Sequence, residues 1–151
     1  MNLMITKEVD NINKCCLYAN DFHLEMILLP YIKENLGKSK FVILTQNNLK
    51  DTIKILLEKV NLSKKDISEL YKIDWSTKTE EKIKNIQEYS NNKNKTTVVI
   101  NGNVDFVKEN IEIINSFNKN NIDVIECYNV EDLKSTKINI EEYEILNTKR
   151  I

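Results

Sequence analysis

A chain of 151 residues with 41% hydrophobic and 30% charged residues is one domain, 1–151, long enough to bury a core, and its 22 basic residues against 23 acidic ones leave a net charge of −1. That balance, with Arg150 as the sole arginine, argues against direct reading of nucleic acid, because the bidentate group that grips phosphate and guanine is nearly missing. Three cysteines without metal-ligand spacing exclude a disulfide framework and a metal centre, and having only Gly37 and Gly102 excludes a glycine-rich phosphate loop.

The N-terminal stretch Met1 to Asn11 lacks the long apolar core of a leader, and the densest apolar run, Met26 to Ile32, is interrupted by Pro30 and too short to span a bilayer. A cytoplasmic protein without membrane contact is the expectation. The first strand is Cys15-Cys16-Leu17-Tyr18, and Leu24, Ile27, Leu28, Tyr31, Ile32 and Leu36 then recur at helical spacing behind Asp21 as N-cap. Pro30 removes a backbone donor inside this helix and should kink or break it. The second strand is Phe41 to Leu44. Gln46-Asn47-Asn48 leads into a helix carrying Leu49, Ile53, Leu56, Leu57 and Val60, with Asn48 and Asp51 at its start.

Ser63 and Asp66 mark a short helix through Leu70, and Tyr71 to Trp75 reads as a third strand. Thr77 and Glu80 open a helix whose thin stripe of Ile83, Ile86 and Tyr89 implies light packing. After a solvated turn at 91–95, the continuous β-branched run Thr96 to Ile100 suits the centre of a parallel sheet. Asn101-Gly102-Asn103 turns into a helix with Phe106, Val107, Ile111, Ile114 and Phe117 inward. Ile122 to Tyr128 alternates, which points to one less buried face or to an edge position, and a helical turn at Val130 to Leu133 follows. Tyr143 to Leu146, in the tail 138–151, offers a further strand. Strands separated by helices predict an α/β three-layer sandwich around a mostly parallel sheet of five or six strands.

Ligands of such sheets bind beyond the carboxyl ends of the strands. Those ends carry Tyr18, Asn20 and Asp21; Gln46 and Asn47; Asp74, Trp75 and Ser76; Asn101, Gly102, Asn103 and Asp105; and Tyr128 and Asn129. Asn and Asp end strands and cap helices in any α/β protein, so the surplus over capping is Tyr18, Gln46, Trp75 and Tyr128. The lone His23 has no catalytic or metal-binding partner set. Cys15 and Cys16 point to opposite faces of a strand, so at least one is buried and inert, and a thiol pair with Cys127 requires neighbouring strands. Glu80-Glu81 and Glu141-Glu142 are sequential acids that diverge, and no general acid–base pair emerges.

Laid out in order, the chain resembles the MEDS domain family, the sensory module of methanogen and methylotroph DcmR-type regulators, over Asn13 to Leu133. The likeness is carried by Cys15-Cys16-Leu17-Tyr18, by Leu29-Pro30-Tyr31-Ile32-Lys33-Glu34-Asn35-Leu36, by Phe41 to Thr45, and by Val98-Val99-Ile100-Asn101-Gly102-Asn103. Asn13 stands where the family commonly has a histidine, and Asn103 where an acid follows the glycine. The resemblance implies a RecA-like fold without a phosphate loop and a non-catalytic sensory or signalling role. The site expected for a small molecule or a protein partner comprises Tyr18, Asp21, Gln46, Asn47, Trp75, Asn101, Gly102, Asn103 and Tyr128. No cofactor, metal or catalytic residue is expected; the partner is an unidentified protein of a regulatory pathway, or a second copy in a homodimer. The alternatives are a small enzyme using Asp21, Asp74 or Asp105 as base with Cys127 as nucleophile, and a homodimeric scaffold.

Overall fold

A computed structural model of the chain describes residues 13–92, 94–134 and 140–146, so the expectations for Met1–Asn11 and for the rest of the tail lie outside the described residues. Five strands, β1 (Asn13–Tyr18), β2 (Lys40–Thr45), β3 (Thr96–Asn101), β4 (Ile122–Asn129) and β5 (Tyr143–Leu146), form one all-parallel sheet in the order β2-β3-β4-β1-β5. Helix α1 (Asp21–Asn35) joins β1 to β2. Helices α2 (Lys50–Lys59), α3 (Lys64–Lys72) and α4 (Thr79–Ser90) separate β2 from β3, and α5 (Val104–Ser116) leads to β4. A single turn, α6 (Val130–Leu133), and a short 3-10 segment (Ile140–Glu142) precede β5.

The two-residue period of each strand divides the core. Cys16, Tyr18, Phe41, Ile43, Val99, Ile125 and Cys127 face one side, where α1, α2 and α3 bring Leu24, Leu28, Ile53, Leu57 and Leu70. Cys15, Val42, Leu44, Val98, Ile100 and Tyr128 face the other, covered by Ile86 of α4 and by Val104, Val107 and Ile114 of α5. Each fully buried aliphatic side chain among these contributes about 1.5–3 kcal/mol relative to exposure. The chain moves from β1 across to β2 over the first face and returns through β3 and β4 over the second. Helices must change face when the direction of advance reverses if the crossover hand is constant. Between α3 and α4 the polypeptide therefore passes around the outer flank of β2, through residues 73–78.

That passage overturns the third predicted strand. Tyr71 and Lys72 finish α3, and Ile73 to Trp75 pair with no strand among the described residues. The reason is Lys82 of α4, whose ammonium donates to the carbonyl of Ile43 on β2 at 2.7 Å and to the carbonyl of Ser76. A lysine stands where a ladder would have formed.

The edge placement considered for Ile122 to Tyr128 is corrected too: β4 is the central strand, and its alternation reflects partial exposure of Ile122 to Val124 at its start. Thr96 to Asn101 is buried at every position and paired on both sides, and Tyr143 to Leu146 joins the sheet beside β1. Helix starts shift by a residue or two. Asn20, not Asp21, caps α1, with its side chain accepting from the His23 amide; Asn48 lies one residue before the cap position and accepts from the Lys50 amide. Helix α4 begins at Thr79 rather than Thr77. Pro30 lies buried within a continuous α1. Neither glycine has positive φ; the left-handed position after α5 is taken by Asn118 at φ 54°.

Candidate functional site

The carboxyl edge of the sheet gathers most of the predicted site residues, and the structure ties them chiefly to one another. The Tyr18 hydroxyl reaches past the end of β4 and donates to Oδ1 of Asn101. The Asn101 amide donates through Nδ2 to Oγ1 of Thr45 at 3.1 Å, and the Thr45 hydroxyl donates to the Asn47 carbonyl at 2.8 Å. Tyr18 is 4% exposed and Thr45 and Asn101 are fully buried, so this chain of bonds lies inside the molecule and joins the ends of β1, β3 and β2. Burial is the main influence that pushes the Tyr18 hydroxyl far above its ordinary pKa, so it remains a donor.

Above this layer lies an exposed rim of neutral amides. Gln46 reaches over Gly102, and its Oε1 accepts from the Asn103 backbone amide at 2.6 Å. A Cβ on Gly102 would stand 2.6 Å from Cδ2 of Phe106 and collide with the Gln46 carboxamide, so any larger residue must displace these two side chains; glycine suits the position by close approach rather than by backbone dihedrals. Asn103 caps α5 through Phe106 N–H, and Asn20 caps α1. The backbone amides of His23, Asn103 and Phe106, at helix starts of the kind that can hold an anion, are thus engaged by the chain's own side chains. Asn47 is exposed, and Asp21 is half-buried in the first turn of α1.

Two predicted residues do not join the site. Trp75 is 3% exposed, and its indole donates to the Leu70 carbonyl at 3.0 Å while its own carbonyl accepts from Leu49, so it fastens the passage around β2 to α3 and α2. Tyr128 points to the opposite face, where its hydroxyl donates to Oε1 of the buried Glu126 at 2.6 Å; Tyr143 of β5 donates to the same oxygen. Of the suggested bases, Asp74 and Asp105 are not assembled with the suggested nucleophile. Cys127 is enclosed in the core, where burial and then the neighbouring Cys16 hold its thiol well above the ordinary range, while Asp74 lies on the flank of β2 and Asp105 is exposed on α5.

Cys16 and Cys127 are register partners on adjacent strands, and burial pushes Cys15, on the other face, up to about 12; all three thiols are free and buried. The ring of His23 accepts from Ala19 N–H at 3.0 Å through Nδ1 and bolsters the start of α1. Among the described residues no group of His, Cys, Asp and Glu could hold a metal, and no helix is long and apolar enough to cross a membrane.

One polar residue beneath the edge escapes sequence reasoning. Glu25 of α1 is fully buried; its Oε2 accepts from the Thr52 hydroxyl, and its Oε1 has no hydrogen-bond partner among the described residues. Burial, opposed by Thr52 and aided by Asp21, raises its carboxyl from the ordinary 4.5 to about 7. The available signal was an acid inside the apolar stretch Leu24 to Ile32.

A groove of about 730 Å³ opens on the flank of β2, between that strand and the ends of α3 and α4. Lys82 is its buried charged member, 3% exposed, with its ammonium 3.9 Å from the Asp74 carboxylate and its pKa lowered by burial against that attraction. Comparison of the chain with family models, with curated proteins and with solved structures finds no match in any of the three.

Proposed function

We propose that this chain is a non-catalytic sensory or signalling module whose carboxyl rim recognises a small molecule or a protein partner. The observation that carries the reading is the internal engagement of the edge: Tyr18, Asn101 and Thr45 bond to one another below the rim, and Gln46 and Asn103 bond to each other on it. Groups so engaged serve recognition and rigidity rather than proton transfer, which needs a titratable side chain within reach of a substrate. The MEDS-like order of motifs supports the same role. An occupant of the rim that favoured a different arrangement of Gln46 or Asn47 would alter the buried bonds behind them, and its differential affinity would set the size of the response.

The test combines a calorimetric and thermal-shift screen of small metabolites with affinity capture by the wild-type chain and a Gln46→Arg variant. The reading predicts a ligand or partner whose binding Gln46→Arg weakens at least tenfold. A screen without a ligand, together with capture that is insensitive to the rim, would sink it.

A further inference from the structure

Strand β2 forms one border of the sheet, and its backbone polarity can be assigned residue by residue. Lys40 N–H donates to the Lys95 carbonyl and Gln46 N–H to the Asn101 carbonyl, so the even-numbered residues of this strand turn their amides and carbonyls toward β3. Phe41, Ile43 and Thr45 therefore turn theirs outward, because both main-chain groups of a residue in a parallel strand point the same way. Lys82 occupies the outward carbonyl of Ile43, as the 2.7 Å bond requires. The outward amide and carbonyl of Phe41 and the outward amide of Ile43 face the groove that both residues line.

The charge of that groove is opposite to the charge of the chain. Lys38, Lys40, Lys72, Lys82 and Lys95 line it against Glu69 and Asp74, whereas the whole sequence carries a net charge of −1. Lys72 is matched by Glu69 at 3.0 Å, Lys82 lies by Asp74, and Lys95 reaches out to Asp123 at 2.6 Å. Lys38 and Lys40 have no carboxylate partner among the described residues. Both precede Phe41 at the start of β2, and Lys40 is held with its ammonium 4.1 Å above the centre of the Tyr89 ring.

We propose that this groove takes an extended acidic peptide segment of a partner protein, added as a further strand along β2. Its main chain bonds to Phe41 and to the Ile43 amide, and its acidic side chains meet Lys38 and Lys40. Lys82 sets the length of the added strand by closing the ladder at the Ile43 carbonyl. This docking site is separate from the carboxyl rim, so it stands or falls without the function proposed above.

The probe is a fluorescent blocked heptapeptide alternating glutamate and valine, compared with its lysine–valine counterpart and with a glutamate–valine peptide N-methylated at every amide, so that neither of its edges can donate to β2. The expected result is saturable binding of the acidic peptide, falling as salt rises, with slowed hydrogen exchange at the Phe41 and Ile43 amides and with about three- to tenfold weaker binding to Lys38→Glu and Lys40→Glu. N-methylation is expected to abolish binding. Equal binding of the N-methylated peptide overturns the added strand, and equal binding of the lysine peptide overturns the charge match. Binding of an oligothymidylate in the acidic peptide's place, without protection of those amides, would make the groove a polyanion site and overturn the proposal. So would self-association through β2 that excludes the peptide. Circular dichroism of the two exposed-lysine variants keeps a folding defect distinguishable from lost affinity.

Discussion

Glu25 places a measurable proton at the base of the carboxyl edge. Its folded pKa of about 7 lies above the ordinary 4.5, so between those values the folded chain binds more protons than the unfolded one. Stability is then greatest below pH 4.5 as far as this group is concerned, and it declines as pH rises toward 7, by up to about 3 kcal/mol for a shift of that size. Glu25→Gln keeps the shape and the capacity to bond Thr52 without a charge. It is expected to be more stable than the parent at pH 8 by a comparable amount and to lose the slope between pH 5 and 7. Urea unfolding at several pH values measures both quantities, and an unchanged slope would mean that Oε1 is solvated.

Among the elements, the runs at Phe41 and Thr96 were legible as strands because burial on both faces writes itself into composition, and those at Cys15, Ile122 and Tyr143 because short apolar or alternating runs are bounded by polar turns. Tyr71 to Trp75 misled because Tyr71, Ile73 and Trp75 imitate a two-residue period, while the deciding contact comes from Lys82, far along the chain from Ile43. The rim was legible at Gln46, Asn103 and Gly102, where strand ends meet helix starts. Trp75 and Tyr128 were not, since side-chain direction depends on register and on partners such as Leu70 and Glu126. The Tyr18–Asn101 bond spans 83 positions and leaves no local trace. Lys82→Met retains the aliphatic stem but strips the donors from the Ile43 and Ser76 carbonyls. A loss of about 2 kcal/mol is expected, together with self-association through the unblocked strand border. Chemical denaturation and light scattering would detect the two effects, and an equally stable monomer would refute the role given to Lys82.

At the scale of the molecule, the three cysteines report on how the domain opens. Each is 0% exposed, with Cys15 on one face of the sheet and Cys16 and Cys127 on the other. A disulfide reagent is expected to modify none of them in the native state except through large openings, so at high reagent concentration all three should react at one rate set by unfolding. Rapid modification of Cys15 alone would instead reveal that the face covered by α4 and α5 opens independently. The same face carries Glu126 between Tyr128 and Tyr143, which links the central strand to β5 across β1.

The buried bonds of Asn101 also govern how the protein ages. Asparagine followed by glycine is the dipeptide most prone to deamidation, because the small Gly102 lets its backbone nitrogen turn onto the asparagine carboxamide and close a succinimide. In this chain that carboxamide is fixed at both ends, Oδ1 by the Tyr18 hydroxyl and Nδ2 by Thr45, within a residue that is 0% exposed. The folded chain should therefore keep Asn101 intact through prolonged storage at neutral pH, whereas Tyr18→Phe, which releases Oδ1, should accumulate isoaspartate there. Peptide mapping by mass spectrometry after incubation would show the difference, so that the bond holding three strand ends together also acts as a preservative for the most perishable peptide link in the sequence.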